Sequence, residues 1–182
     1  MGYLLGFLPF IVFFLLMRLA SPLAGLAAAL ATSLILALRD WRRGDSIKIL
    51  EIGSLALFAV LVLYTLIAAP QWTVATVRLA VDAGLFAIAA ASLAIDRPFT
   101  LQYARQQVPK EYWTTPLFLN TNRLITAVWA AAFAVLVAAD AAAEYLPAIP
   151  LSADITASIA ALGAAVAFTL WYPARVRRLA GR

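Results

Sequence analysis

Long apolar runs alternate along the chain with short polar stretches, and each run is far longer than one period of an amphipathic helix or strand. A helix needs about 20 apolar residues to cross the hydrocarbon core of a bilayer. Six spans are predicted, at residues 3–19, 22–38, 47–68, 74–95, 124–145 and 155–172. The first two are short, and we expect them to form a tight hairpin that turns at Ala20, Ser21 and Pro22.

The basic residues divide the connections into two kinds. Every Lys and Arg other than Arg18 and Arg78 lies between spans two and three or at the very start of span three, between spans four and five, or after span six. The positive-inside rule places such connections in the cytoplasm. The sequence therefore predicts one membrane domain, residues 1–182, that is an all-α polytopic transmembrane bundle with three hairpins. Its cytoplasmic parts are loops 39–47 and 96–122, the tail 173–182 and both termini.

The long cytoplasmic loop also carries helix signals. Residues 98–100 are typical of a helix start, with Thr100 as the expected N-cap. A short amphipathic helix at the membrane surface is predicted, ending at Pro109, although a solvated connector is the alternative. Pro116 suits the first position of a helix, so the fifth helix is expected to begin there. The apolar face of the surface helix would consist of Leu101, Ala104 and Val108.

Composition supports the membrane interpretation and narrows the chemistry. Hydrophobic residues make up 65% of the chain and charged residues 13%, whereas soluble domains are nearer half apolar and a quarter charged. Because there is no cysteine and no histidine, thiolate and imidazole chemistry are excluded. No catalytic motif, cofactor or metal site is predicted, and the chain is not expected to be an enzyme. Its basic residues flank spans, which indicates contact with lipid headgroups and not with nucleic acid.

Two charges interrupt the fourth span. Arg78 and Asp82 lie one helical turn apart, and Asp82 falls close to mid-membrane. A charge at that depth costs about 2.5–3.5 kcal/mol, so Asp82 is expected to have a partner inside the bundle. Arg18 and Asp140 complete a predicted polar cluster in the outer leaflet. It either fastens helix four to helix one or lines an outward-facing cavity that holds a polar group or relays a proton.

Two further sets of residues are predicted to make contacts. Small residues recur every four positions on the second helix, which allows close helix approach in lipid. Lys48 and Glu51 are expected to pair at the interface, three residues apart. The predicted helix-packing face consists of Ser21, Gly25, Ala29 and Ser33. The predicted cytoplasmic interaction surface consists of Arg39, Arg42, Arg43, Arg105, Lys110, Asn122 and Arg123.

Several segments, in order, resemble the intracellular septation protein A family of small bacterial inner-membrane proteins. They are the opening segment 7–14 (FLPFIVFF), Arg18, the segment 27–32 (AAALAT), Arg97 with Pro98, Trp113, Asn122, the segment 127–129 (AVW) and Phe133. The loop segment 99–105 departs from the family sequence. The resemblance implies a role in envelope upkeep and division through contacts with other membrane proteins of envelope synthesis, and no catalytic activity.

The predicted function is therefore a non-enzymatic protein of the bacterial inner membrane that acts by contacting the bilayer and other membrane proteins. The alternative is a small transporter, channel or lipid-handling protein that uses a polar cavity at Arg78 and Asp82. The sequence leaves open whether the chain forms a homo-oligomer.

Overall fold

The structure is a computed structural model that describes residues 6–44, 46–146 and 151–180. Within these residues it is all-helical, with no strand. The helices are α1 (Leu8–Leu19), α2 (Pro22–Arg42), α3 (Ile49–Ala68), α4 (Val74–Ala94), α5 (Phe99–Arg105), α6 (Pro116–Tyr145) and α7 (Leu151–Ala180), with a 3₁₀ turn at Lys110–Tyr112.

Five helices in the described part of the chain are long and apolar enough to cross a membrane, namely α2, α3, α4, α6 and α7. The helix α1 has 12 residues and is shorter than these five. Three helices extend beyond the apolar spans that the sequence predicts. The helix α2 continues to Arg42, α6 begins at Pro116, and α7 runs from Leu151 through Pro173 to Ala180. Hydropathy locates the edge of the lipid-compatible stretch, whereas a helix ends where its backbone hydrogen bonds end.

The chain forms two compact units, Met1–Ile88 and Ala89–Arg182, and the border between them falls within α4. The single membrane domain over 1–182 stays a prediction. In the first unit, α1, α2, α3 and α4 share one apolar core. Its buried members are Phe13, Met17, Leu26, Ala29, Phe58, Val77 and Val81.

The hairpin between α1 and α2 turns where the sequence predicts, at residues 20–22. Ser21 has an extended backbone, and its hydroxyl accepts a hydrogen bond from the Ala24 N–H at 3.1 Å. Pro22 occupies the first helical position, where its missing N–H costs nothing. Gly25 then lies against α1, because a Cβ there would stand 2.9 Å from both the Met17 nitrogen and the Phe13 oxygen.

The predicted helix-packing face of α2 is thus used within the chain. Gly25, Ala29 and Ser33 are buried, whereas Ser21 is exposed and caps the helix. Small side chains permit this close contact between helix backbones. These residues consequently pack the first unit and do not form a free surface.

In the second unit, α5 and α7 both pack against α6. Two residues after the end of α4 stands Asp96, which has a left-handed backbone with φ of 57°. The Arg97 N–H donates to the Ser92 carbonyl at 2.8 Å and the Asp96 N–H donates to the Leu93 carbonyl at 3.0 Å. This pair of bonds is a Schellman motif, in which Asp takes the position that glycine usually fills.

The start of α5 corrects one prediction, since Thr100 is not its N-cap. The N-cap is Pro98, and the Phe99 N–H donates instead to the Ser92 hydroxyl at 3.2 Å. That contact with the end of α4 satisfies one of the backbone N–H groups that have no acceptor within the first turn of a helix. The Thr100 side chain is therefore available to bind elsewhere, and it is buried together with four other residues of this seven-residue helix.

The helix α6 begins at Pro116, as predicted. Its N-cap is Thr115, whose hydroxyl accepts from the Phe118 N–H at 3.3 Å. The last seven residues of the predicted loop 96–122 therefore form the first two turns of a 30-residue helix.

Candidate functional site

The predicted polar cluster is divided between the two units. Arg18, Arg78 and Asp82 belong to the first unit and Asp140 belongs to the second. Arg18 is exposed and Asp82 is half-buried. Asp140 is fully buried near the C-terminal end of α6.

Arg78 is the buried member of the cluster in the first unit, with 5% of its surface exposed. Its guanidinium carbon lies 5.5 Å from the centroid of the Phe14 ring, so a side chain of α4 rests on a side chain of α1. A guanidinium over an aromatic face contributes about 0.5–2 kcal/mol, with the larger values at desolvated sites. This contact is of the fastening kind that one of the two sequence interpretations expects.

A second charged cluster lies where α2 meets the start of α3. The Lys48 ammonium donates to a carboxylate oxygen of Asp40 and, at 3.0 Å, to Oε1 of Glu51. The other Glu51 oxygen, Oε2, accepts from the Lys48 backbone N–H at 3.1 Å, which satisfies the backbone donor of the N-cap residue of α3. Asp40, Lys48 and Glu51 are 2%, 4% and 5% exposed. We call these three residues the buried ion cluster.

Arg39 contacts the buried ion cluster from its exposed side. Its guanidinium donates from Nε at 3.0 Å and from Nη2 at 2.8 Å to the same Asp40 oxygen, Oδ1. The Asp40 carboxylate is thus shared between two cations, one buried and one partly exposed.

Burial alone would lower the pKa of the Lys48 ammonium. Its hydrogen bonds to Asp40 and Glu51, together with their negative charge, outweigh that effect and raise the pKa above its ordinary value. A lysine titrates near pH 10.4 when unperturbed, so Lys48 keeps its charge throughout the neutral range. The buried ion cluster therefore keeps its cation at neutral pH.

The sequence predicts the pair of Lys48 and Glu51 but misses Asp40. Asp40 stands between Arg39 and Trp41, just beyond the predicted span 22–38, so hydropathy does not reveal its burial. One signal was available, because Asp40 lies seven residues after the buried Ser33 and three after the buried Ala37. Residues at that spacing share a helix face, provided that the helix continues to residue 40.

The second unit contains a neutral counterpart. The Thr100 hydroxyl donates to the Asn122 carbonyl at 3.0 Å, and the Thr100 and Thr126 hydroxyls are 2.7 Å apart. A hydroxyl has a single proton, so Thr126 must donate to Thr100. The Asn122 amide donates to the Phe118 carbonyl at 2.8 Å. We call Thr100, Asn122 and Thr126 the hydroxyl network.

The predicted cytoplasmic interaction surface is only partly exposed. Arg42, Arg43, Lys110 and Arg123 are exposed, and Arg39 and Arg105 are half-buried. The Arg105 guanidinium lies 5.3 Å from the Trp113 ring centroid. Asn122 is 3% exposed and belongs to the hydroxyl network, so it cannot contribute to a surface.

An exposed ion pair joins the end of α4 to the first turns of α6. The Arg123 guanidinium binds the Asp96 carboxylate, and the two side chains are 51% and 65% exposed. Pairs so open to solvent contribute little to stability. Among the described residues, no three carboxylate side chains are grouped so that they could hold a metal ion.

Helices of this length and hydropathy define a multi-pass α-helical membrane protein. No family model matches the chain, and no curated protein or solved structure matches it either.

Proposed function

We propose that the chain is a non-enzymatic protein of the bacterial inner membrane that serves envelope maintenance and septation by contacting other membrane proteins. In this proposal six spans form three hairpins, both termini are cytoplasmic, and α5 belongs to the long cytoplasmic loop at the membrane surface. The five long apolar helices and the placement of the basic residues support the topology. The resemblance to the septation family supplies the cellular role.

One face of α7 is the observation that carries the proposal, because it is both exposed and built from small residues. We call Ala160, Gly163, Ala164 and Ala167 the small face of α7, and all four are exposed. A Cβ on Gly163 would enter open space. Small residues let a second helix approach closely in lipid, where apolar burial alone gives no net drive for association. A helix of another membrane protein fits this face.

Photo-crosslinking in native membranes tests the proposal. A photo-reactive residue at Ile159, which is 67% exposed beside the small face, should capture a discrete membrane protein. The same residue at Val60 on α3, which is 64% exposed, should give lipid adducts only. Gly163→Leu fills the small face without an internal clash and should abolish the captured product. Identical products from both sites, or a product that persists in the Gly163→Leu variant, would contradict the proposal.

The alternative function, transport through a polar cavity, makes a different prediction for Asp82. Arg78 resting on Phe14 favours a fastening role for this part of α4. Asp82→Asn should then lower the yield of folded protein and leave solute permeability of reconstituted vesicles unchanged. Normal folding with loss of a solute flux that the unaltered protein supports would favour the transporter.

A further inference from the structure

A shallow groove of about 340 Å³ lies along the last two turns of α2. It is lined by Ile35, Leu38, Arg39, Arg42 and Arg43. The first four follow the spacing i, i+3, i+4 and i+7, which places them along one stripe of a helix. The buried residues Ser33, Leu36, Ala37 and Asp40 occupy the other side of α2. The groove therefore faces away from the core of the first unit.

The charge of this groove is positive. Arg42 and Arg43 are exposed, and neither forms an ion pair with a carboxylate of residues 6–44, 46–146 or 151–180. The nearby Asp40 would repel an anion, but Lys48 and Arg39 already bind its carboxylate. Lys48 and Arg39 thus offset the one negative charge of α2 that could oppose anion binding.

The other end of the groove is apolar. Ile35 and Leu38 are 65% and 40% exposed, although both are large aliphatic residues. Seven residues separate Ile35 from Arg42, which corresponds to about 10 Å along the helix axis. A ligand that fills the groove must therefore have an anionic end and, about one or two helical turns away, an aliphatic part.

We propose that this groove binds an anionic phospholipid, with its phosphate at Arg42 and Arg43 and its acyl chains along Ile35 and Leu38. The charges of the groove complement a phosphate, and its apolar end matches hydrocarbon and not nucleic acid or an acidic peptide. The basic residues lie at the end of an apolar helix of 21 residues, which is where a lipid headgroup meets a spanning helix. This lipid site on α2 does not depend on which membrane protein contacts the small face of α7.

Titration of the purified full chain in neutral detergent with phosphatidylglycerol or phosphatidylcholine, read by native mass spectrometry, tests the site. Phosphatidylglycerol should bind in preference to phosphatidylcholine. An anionic membrane attracts each basic residue by about 1 kcal/mol, a factor of about five. Arg42→Gln with Arg43→Gln should thus weaken phosphatidylglycerol binding about 25-fold. Both side chains are exposed and lie outside the buried ion cluster, so the melting temperature should not change.

A matched control is Arg177→Gln with Arg178→Gln, since both residues are exposed in the last turn of α7. This variant removes the same charge and should change phosphatidylglycerol affinity less than about twofold. Equal losses in the two double variants would mean general charge attraction and would overturn the site. Displacement of the lipid by an equal concentration of inorganic phosphate would also overturn it, because a free anion would then be the ligand.

Discussion

The two units differ in the charge of their buried polar groups, which lie beside α2 in the first unit and beside α6 in the second. In the first unit the buried ion cluster joins the end of α2 to the start of α3 with full charges. In the second unit the hydroxyl network joins α5 to α6 with neutral groups. The ion cluster spans residues 40–51, whereas Thr100 and Thr126 are 26 residues apart in the chain.

The difference predicts how each unit responds to the loss of one partner. Charges taken out of water are stable only while each is compensated, so removal of one ion leaves the others buried at a high cost. A neutral hydroxyl that loses its partner costs much less, and hydrogen bonds between helices in lipid average about 0.6 kcal/mol. The first unit should therefore be the more sensitive of the two to a single polar substitution.

Lys48→Met is the strongest test of this comparison. It leaves Asp40 and Glu51 buried without their shared cation, and we expect a loss of about 3–5 kcal/mol in the free energy of unfolding. The midpoint of thermal unfolding in detergent, followed by circular dichroism, measures the effect. Lys110→Met is the matched control, since Lys110 is exposed in the 3₁₀ turn. An equal shift in both variants would mean that the buried ion cluster does not hold α2 to α3.

A second substitution separates charge from packing within the first unit. Gly25→Ala places a methyl group 2.9 Å from two backbone atoms of α1, and backbone cannot move aside as a flexible side chain can. Overpacking of this kind costs about 1–3 kcal/mol. Gly163→Ala is the control, because its Cβ meets open space, and it should be neutral or slightly stabilising since alanine favours helix.

Thermal unfolding of these two glycine variants ranks the contacts of the first unit. If Gly25→Ala destabilises the protein more than Lys48→Met, close packing of α1 on α2 stabilises the first unit more than the buried ion cluster does. If Gly25→Ala has no effect, α1 does not approach α2 as closely as the structure places it.

Parts of this architecture follow directly from the sequence, and the reasons differ by residue. The all-helical fold and its long apolar helices are readable because a spanning segment must satisfy its own backbone in lipid. The turn at Ser21 and Pro22 and the start of α6 at Pro116 are readable because caps and prolines act locally. The pair of Lys48 and Glu51 is readable because both partners lie within one helical turn.

Other parts depend on contacts that local sequence does not encode. The local sequence predicts Thr100 as an N-cap, but Ser92, eight residues earlier, accepts a hydrogen bond from the Phe99 N–H. It places Asp40 in a loop, but the Lys48 side chain binds Asp40 at the end of α2. It places Asn122 on a surface, but the Asn122 carbonyl accepts a hydrogen bond from Thr100 of α5. In each case a neighbour distant along the chain or beyond a helix end decides the environment, and periodicity within one helix cannot reveal it.

Thr126→Val completes the comparison with the smallest expected effect. The substitution keeps the shape and removes the hydroxyl that donates to Thr100, while Thr100 still donates to the Asn122 carbonyl. No buried donor loses its acceptor, so the loss in the free energy of unfolding should be near 0.6 kcal/mol, about one sixth of that for Lys48→Met. Thr156→Val is the control, since the exposed Thr156 hydroxyl donates only within its own helix, to the Ser152 carbonyl. A loss for Thr126→Val as large as that for Lys48→Met would mean that the hydroxyl network is as sensitive to one substitution as the buried ion cluster. That result would contradict the contrast between the units.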